Sequence, residues 1–383
     1  MTDFFAYDTL TWPDIAALPR DVPLVIPLGQ NYDLAQLSSA LGSPPRAGLL
    51  PAIPFGWRGS GLPVPHELLA RLVANLLDSL REDGFSRVFA LCPPGLDLGL
   101  GPTRFALPQL GHTTTPAFPA DADRDKVVLM PVGHIEQHGP HLALSTDAVI
   151  IEAVSRAVAV SAPDQAVALP AFPYGVSTHR ASFAGTLNAG GRAFEDFWLG
   201  VISTLVVRGF TRFYLLNGHG GNHSFLANIV KFAGERHPEV FCATAWLYLS
   251  GPDGVSALER HRRSPIGGMG HAGELETALM LHLRPDLVHM QRVVDETDFI
   301  ATRSYYMDWV EGGSLIANPP WADDSATGAY GAGSLATAEN GRLWLEAAVA
   351  EKVGHVAEIH EQYRRRQARR QSGFGLWGET PTG

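Results

Sequence analysis

The chain is poor in cysteine and in positive charge, and it has neither a long apolar run nor a basic leader feeding an apolar one. With Cys92 and Cys242 alone among 383 residues, no disulfide framework or thiolate zinc site can be assembled, and a reducing compartment is the default. Lys and Arg total 29 against 39 Asp and Glu, a net charge of -10, so the clustered cations that release counterions from a nucleic acid are missing. No uninterrupted apolar stretch reaches the length of a bilayer span. The N-terminus "MTDFFAYDTLTWPDIAALPR" carries no signal-peptide pattern. These absences predict a cytoplasmic, soluble protein acting on a small molecule, with neither nucleic acid nor membrane as partner. The one basic run, "RRRQARR" at 364–370, reads as a solvated helix end, with partner docking as the lesser alternative.

What is abundant is apolar sequence, 45% of the residues, enough core for two modest domains or one large α/β unit. "KVVLMPVG" (126–133) is a short β-rich run ending in Gly, the pattern of a buried strand entering a loop. "DAVIIEAVSRAVAV" (147–160) has helical spacing, "QAVALPAFPYG" (165–175) reads as strand and turn, and "RAFEDFWLGVISTLVVRGF" (192–210) as an amphipathic helix stopped by Gly209. "TRFYLLNGHGGN" (211–222) is a second buried strand running into a Gly-rich loop, followed by the helical "HSFLANIVKFAGERH". Such alternation predicts a three-layer α/β/α fold with a largely parallel sheet, whose ligands gather at the carboxyl ends of the strands.

The first hundred residues repeat the same order of signals. "VPLVIPLG" (22–29) matches "KVVLMPVG", "LLPAIPFG" (49–56) matches "ALPAFPYG" (168–175), and "DGFSRVFALCPPG" (83–95) matches "RGFTRFYLLNGHG" (208–220). The chemistry is absent from this copy: "GQNYDLAQ" stands in place of "GHIEQHGPH", and "LCPPG" in place of "LNGHG". Residues 1–115 are therefore expected to be a degenerate, non-catalytic partial repeat, residues 120–365 the catalytic domain, and 366–383 a polar tail.

Three stretches hold nearly all the chemically interesting side chains. In "GHIEQHGPH", Glu136 and His138 are two apart, so an extended segment points both the same way, and Asp147 at the next helix start can fold back onto them. In "NGHGGN", His219 sits among glycines that let the backbone approach a ligand closely. In "GMGHAGELETALML" (268–281), a Gly-rich turn leads into a helix with His271, Glu274 and Glu276. Glu, His and Asp without sulfur form a set suited to Zn²⁺ or Mn²⁺, and one bridging carboxylate makes it a two-metal site. Each residue also has a plainer reading: Asp147 as a helix cap, Glu274 or Glu276 as first-turn carboxylates, His219 as a hydrogen-bonded loop histidine, and His134 and His141 as flanking residues.

The ordered set "PVGHIEQHGPHLALSTD", "YGVSTHRASFAGT", "NGHGGN", "GHAGELET" and "TGAYGAGSLATAENG" resembles the creatininase family of metal-dependent amidohydrolases over about residues 125–360. The resemblance implies an α/β/α fold, a dinuclear site and usually a homo-oligomer. It implies Glu136, His138, Asp147 and His219 as ligands, with Asp147 bridging. Creatininase itself has a carboxylate ligand two residues after the "NGH" histidine, where Gly221 stands here, so Glu276 becomes the candidate ligand to complete the second metal's shell, with Glu274 in reserve. His271 is implied as the histidine that shuttles a proton to the leaving group, a role for which Glu274 is the nearby carboxylate alternative and which near-neutral titration suits. Ser177 and His179 are expected near the mouth with Gly220, and Tyr306 and Trp309 of "SYYMDW" as aromatic walls.

The expected activity is cleavage of a C–N bond in an amide, lactam or formamide by a metal-bound hydroxide. The alternative is hydrolytic ring opening of a cyclic ketone such as an inosose, which the same attack on a carbonyl serves. A non-catalytic metal-binding or assembly protein is the third reading.

Overall fold

A computed structural model of the protein describes residues 2–111, 115–178, 182–310 and 313–372. It contains two parallel sheets. The first is built from β1 (Asp3–Ala6), β2 (Leu24–Pro27), β3 (Arg46–Leu49), β4 (Val88–Cys92) and β5 (Arg104–Ala106), in the order β1-β3-β2-β4-β5. The second uses β6 (Val127–Val132), β7 (Ala166–Ala168), β8 (Arg212–Asn217) and β9 (Phe241–Thr244), in the order β7-β6-β8-β9. Every strand pair named here is parallel, and the crossovers carry α-helix except the short connection from β4 to β5, which holds only a 3-10 turn at Gly101–Thr103.

All six residues of β6 are buried, as a continuous apolar strand covered on both faces requires. Its side chains alternate between two cores. Val128, Met130 and Val132 pack with Phe194, Phe197 and Ile202 of α5 (Gly191–Val207) and Leu226 and Ile229 of α6 (His223–Arg236). Val127 and Leu129 pack on the opposite face with Ile150 and Val154 of α4 (Thr146–Ser161) and with α8 (Glu274–Leu283) and α9 (Ala338–Gln371). These are the helix, sheet and helix layers predicted from the alternation. The basic run 364–370 lies inside α9, which reaches Gln371, six residues past the expected domain end at 365; the exposed guanidiniums of Arg364 and Arg365 pair with Glu361 within the helix.

The first sheet faces the same large core. Leu24, Ile26 and Leu28 join Leu69, Leu72, Val73, Leu76 and Leu80 of α3 (His66–Glu82), whose spacing makes one apolar helix face, and that face meets α5 of the second sheet. Val25 on the other side packs with Leu37 and Leu41, which bracket α2 (Leu34–Ala40) and its C-terminus. The strand order β3-β2-β4-β5 recurs as β7-β6-β8-β9, the pairing Pro27↔Leu91 recurs as Pro131↔Leu216, and the bridge Leu28↔Ile53 recurs as Val132↔Phe172. No helix among the described residues is long and apolar enough to cross a membrane.

Candidate metal centre

The register Pro131↔Leu216 and Val132↔Asn217 ends β6 and β8 side by side, so the loops that follow them emerge together. After β6 the chain doubles back, His138 bridging to Leu142 and Glu136 N–H donating to Leu144 O, which returns it to the first turn of α4 and Asp147. After β8, Asn217 shapes the next turn: its Oδ1 accepts from His219 N–H at 3.1 Å, and its amide donates to Trp246 O at 2.6 Å. α8 packs across α4 and brings Glu276 in from the third stretch. Glu136, His138, Asp147, His219, His271 and Glu276 are all no more than 6% exposed.

Three trios form there, their potential ligand atoms all within 4.8 Å of one another: Glu136, Asp147 and His219; His138, Asp147 and Glu276; Glu136, His138 and His271. Asp147 joins the first two. Its Oδ2 lies 3.2 Å from His219 Nδ1 and its Oδ1 lies 3.1 Å from His138 Nε2, while Glu136 Oε2 stands 2.9 Å from His219 Nδ1 and Glu276 Oε2 stands 3.8 Å from His138 Nε2. Ser145, not Asp147, occupies the cap position of α4, so the helix-cap reading of Asp147 does not describe its carboxylate.

Backbone carbonyls orient the imidazoles. His138 Nδ1–H donates to Glu136 O at 3.0 Å and His219 Nε2–H to Val176 O at 3.2 Å, so in the neutral rings the lone pairs at His138 Nε2 and His219 Nδ1 face the carboxylates. Glu136 Oε2 and Asp147 Oδ2 are buried and accept no hydrogen bond of acceptable geometry. Acceptors aimed at a common point from all sides make a cradle for a cation. Titration agrees. Burial alone would lower the pKa of His138, yet Asp147 and Glu276 raise it to about 9; Glu136 and Asp147 likewise overcome burial to raise His219 to about 10. Burial opposes ionisation of Glu136 and Asp147 too, but His219 holds Glu136 well below the usual carboxylate range, and His138 brings Asp147 to about 2. Burial lifts Glu276 to about 7. With no cation, protons on the two imidazoles would balance the buried carboxylates; divalent cations would balance them and leave the ligand rings neutral.

His271 is the exception among the three histidines. Its Nε2–H donates to Gln137 O at 2.6 Å, its ring lies 4.2 Å from that of His138, and its Nδ1 is 3.9 Å from Glu136 Oε2. Burial, then the charge on His138, lowers its pKa to about 3. Glu274 is placed elsewhere: its carboxylate accepts the backbone N–H of Arg263 and, at 2.7 Å, of Ser264, and it belongs to none of the trios. That arrangement sets its carboxylate on the turn at 263–264, away from the trios to which the expected catalytic role would bring it.

A cavity of about 330 Å³ opens above the trios, lined by Glu136, His219, Gly220, His271, Glu276 and Trp309. Ser177 is buried beside it with an unpaired Oγ, Tyr306 lines a neighbouring cavity instead, and His179 lies outside the described residues. Position 221 has no room for a side chain: a Cβ there would stand 2.4 Å from His219 Nε2 and 2.6 Å from Val176 O, across the hydrogen bond that orients the ring. Sequence reading missed Trp246, Met307 and Trp321, which also line the cavity. Trp246 follows the end of β9, so the strand-end rule applied to "VFCATAWLYLS" would have found it.

Residues 111–356 match the family model Creatininase, described as creatinine amidohydrolase. The creatinine amidohydrolase of Pseudomonas putida is 32% identical over 187 residues, 45% of this chain and 69% of its own length. The mycofactocin precursor peptide peptidase of Mycobacterium ulcerans is 30% identical over 259 residues, 66% of this chain and 91% of its own. The 3-dehydro-scyllo-inosose hydrolase of Thermotoga maritima is 27% identical over 255 residues, 62% of this chain and 78% of its own. Among solved structures, the one named Creatininase Mn superposes with a TM-score of 0.52 at 27% identity, over 63% of this chain and 93% of its own, and a creatininase variant of Zn-Zn type with 0.51 at 28%, over 63% and 92%. With the buried His/Glu/Asp cluster, these matches place the chain in the creatininase family as one of its metallohydrolases.

Proposed function

We propose that the protein hydrolyses a C–N bond of a small amide at a dinuclear centre of Zn²⁺ or Mn²⁺, one cation held by Glu136, Asp147 and His219 and the other by His138, Asp147 and Glu276. The observation that carries this reading is the pair of trios sharing Asp147. Cations bound there supply Lewis acidity and activate water near neutral pH. His271, fixed through Nε2–H on Gln137 O, turns Nδ1 toward Glu136 Oε2 at 3.9 Å, where it would take a proton and return it to the departing nitrogen. Gln137 fixes that geometry, its side-chain amide donating to Gly328 O at 2.9 Å and its Oε1 accepting from Gly139 N–H at 3.0 Å. Gly220, Trp246 and Trp309 line the mouth and exclude bulk water from the reacting carbonyl. C–N chemistry is favoured because the relatives at 30% identity and above are named for amide and peptide cleavage; the inosose hydrolase supports ring opening of a cyclic ketone as the second reading.

The first sheet is read as a degenerate copy of the second. In it Tyr32 stands where Glu136 stands, and its hydroxyl donates to Leu28 O at 2.6 Å. That ring fills the strand end where the second copy gathers its ligands. A homo-oligomer belongs to the same proposal and is read by light scattering.

Two tests apply. Metal per chain is expected to be two in the native protein and below one in Asp147→Ala, with turnover lost; two ions and full activity in that variant would sink the assignment. A panel of lactams, formamides, short peptides and cyclic ketones separates C–N from C–C cleavage, and two retained ions with no turnover on any member would leave the non-catalytic reading standing.

A further inference from the structure

The metal cavity does not end at Trp309. A second cavity of about 410 Å³ adjoins it and shares Trp246, Met307, Trp309, Ile316 and Ala317 with it. The two indoles meet edge to face at 5.7 Å, over Gly220: a Cβ added there would stand 3.4 Å from Trp309 and 3.6 Å from Trp246. They therefore form a partition beside His219, and any group reaching past them leaves the reacting end and enters the outer chamber.

The two chambers differ in chemistry. The inner one is walled by Glu136, His219, His271 and Glu276. Among the described residues the outer one is lined by a single carboxylate, Asp308, and it is fully engaged: Arg262 Nη1 reaches Oδ1 at 3.1 Å and Nη2 reaches Oδ2 at 2.5 Å, while Gly267 N–H and Val310 N–H donate at 2.7 and 3.0 Å. Its remaining surface is largely apolar and aromatic, with Val255, Tyr305 and Leu315 among the contributors. At its mouth Leu315 is 60% and Ile316 95% exposed, apolar area that water covers at a free-energy cost.

We propose that the substrate is elongated and amphipathic: a polar carbonyl end at the trios and an uncharged, ring-sized apolar substituent seated beyond Trp309 in the outer chamber. Among the described residues an ionised substituent finds no free counter-charge there, and a substrate no larger than one small ring leaves the chamber and its apolar rim uncovered. The inference rests on the dinuclear reading above and assigns Val255, Leu315 and Ile316 to specificity rather than to chemistry.

Hydroxamic acids chelate divalent cations, so they test the two readings separately. Metal-loaded protein is titrated with acetohydroxamic acid and with phenylbutyrohydroxamic acid, in the native form, in Val255→Trp, which fills the chamber from its helix, and in Val255→Leu, which does not. The aryl probe is expected to bind at least about tenfold tighter than the short one. That gain disappears in Val255→Trp and persists in Val255→Leu, with the short probe unchanged throughout. Short-probe binding without an aryl gain, or a gain that survives Val255→Trp, overturns the chamber and leaves the metal centre intact. Failure of both probes overturns the dinuclear reading and the chamber with it. Self-association that Leu315→Glu disperses, with no loss of aryl preference in Val255→Trp, assigns the apolar rim to a second copy and overturns the proposal.

Discussion

Glu274 and Glu276 sit two apart in the first turn of α8, both buried, and a helix turns residues at that spacing to nearly opposite sides. Glu276 thereby faces the metal loop, its Oε2 held at 2.7 Å by Ala272 N–H, while Glu274 faces the turn at 263–264. Substituting each by Gln separates the roles. Glu276→Gln is expected to lower metal content with little change in melting temperature. Glu274→Gln should keep both ions and lose about 2 kcal/mol of stability, because it weakens charge-assisted bonds to buried amides. Metal analysis and thermal unfolding of the same preparations check both. The pair Glu136 and His138 shows the converse: two apart on non-helical chain, they reach the same cluster.

α8 delivers Glu276 only because α9 lies close against it. Gly341, in the first turn of α9, makes the closest approach: a Cβ there would stand 1.9 Å from Ala278 O, a backbone atom that cannot rotate aside. Gly341→Ala must push the helices apart, at a cost of about 3 kcal/mol. It is expected to lower the melting temperature and also to weaken metal retention, although residue 341 touches no candidate ligand; unchanged stability would show that the helices part freely. Further along the same helix, before its midpoint, Glu351 accepts the N–H groups of Ser250, Gly251 and Gly254 and so caps α7 (Pro252–His261), with Lys352 at 2.6 Å as its counter-charge.

The whole molecule depends on its first sheet through more than the shared core. Leu144 N–H donates to Leu10 O at 2.9 Å and Ser145 N–H to Asp8 O at 3.0 Å, bracing the loop that leads to Asp147, and Trp12 Nε1–H reaches Thr327 O at 2.8 Å. Residues 116–383 expressed alone would bare Phe172, Phe197 and Trp198, so they are expected to show no cooperative unfolding transition; a stable, metal-loaded fragment would refute this. Asp83, at the end of α3, accepts Gly185 N–H at 2.9 Å across the same junction, and burial raises its pKa from 3.8 to about 6. Its folded value lies above its unfolded one, so its contribution to stability is complete below about pH 4 and is lost as pH rises through 6. Asp83→Asn keeps an acceptor for Gly185 without a charge to desolvate. It is expected to be more stable than the native protein at pH 7.5, on the order of 2 kcal/mol, and indistinguishable from it near pH 4.

Strands, helices and Gly-rich turns were legible from sequence because they follow from local period: the apolar runs at 126–133 and 211–217 became β6 and β8 within a residue or two of their ends. The residues of the trios were legible because polar side chains at buried strand ends need a reason to be there. The division of labour between Glu274 and Glu276 was not, since it depends on which helix face α9 leaves toward the metal loop. Nor were Trp321 or the low pKa of His271, which come from groups far apart in the chain and from the charge on His138. By itself the sequence determined the α/β alternation, the strand-end placement of Glu136, His138 and His219, and the resemblance to the family, all of which rest on neighbours within one turn or strand. Only the tertiary structure decided that Asp147 is shared between two trios, that position 221 is closed, and that a second chamber lies past Trp309, because these are distances between atoms that the chain brings together only when both sheets are packed.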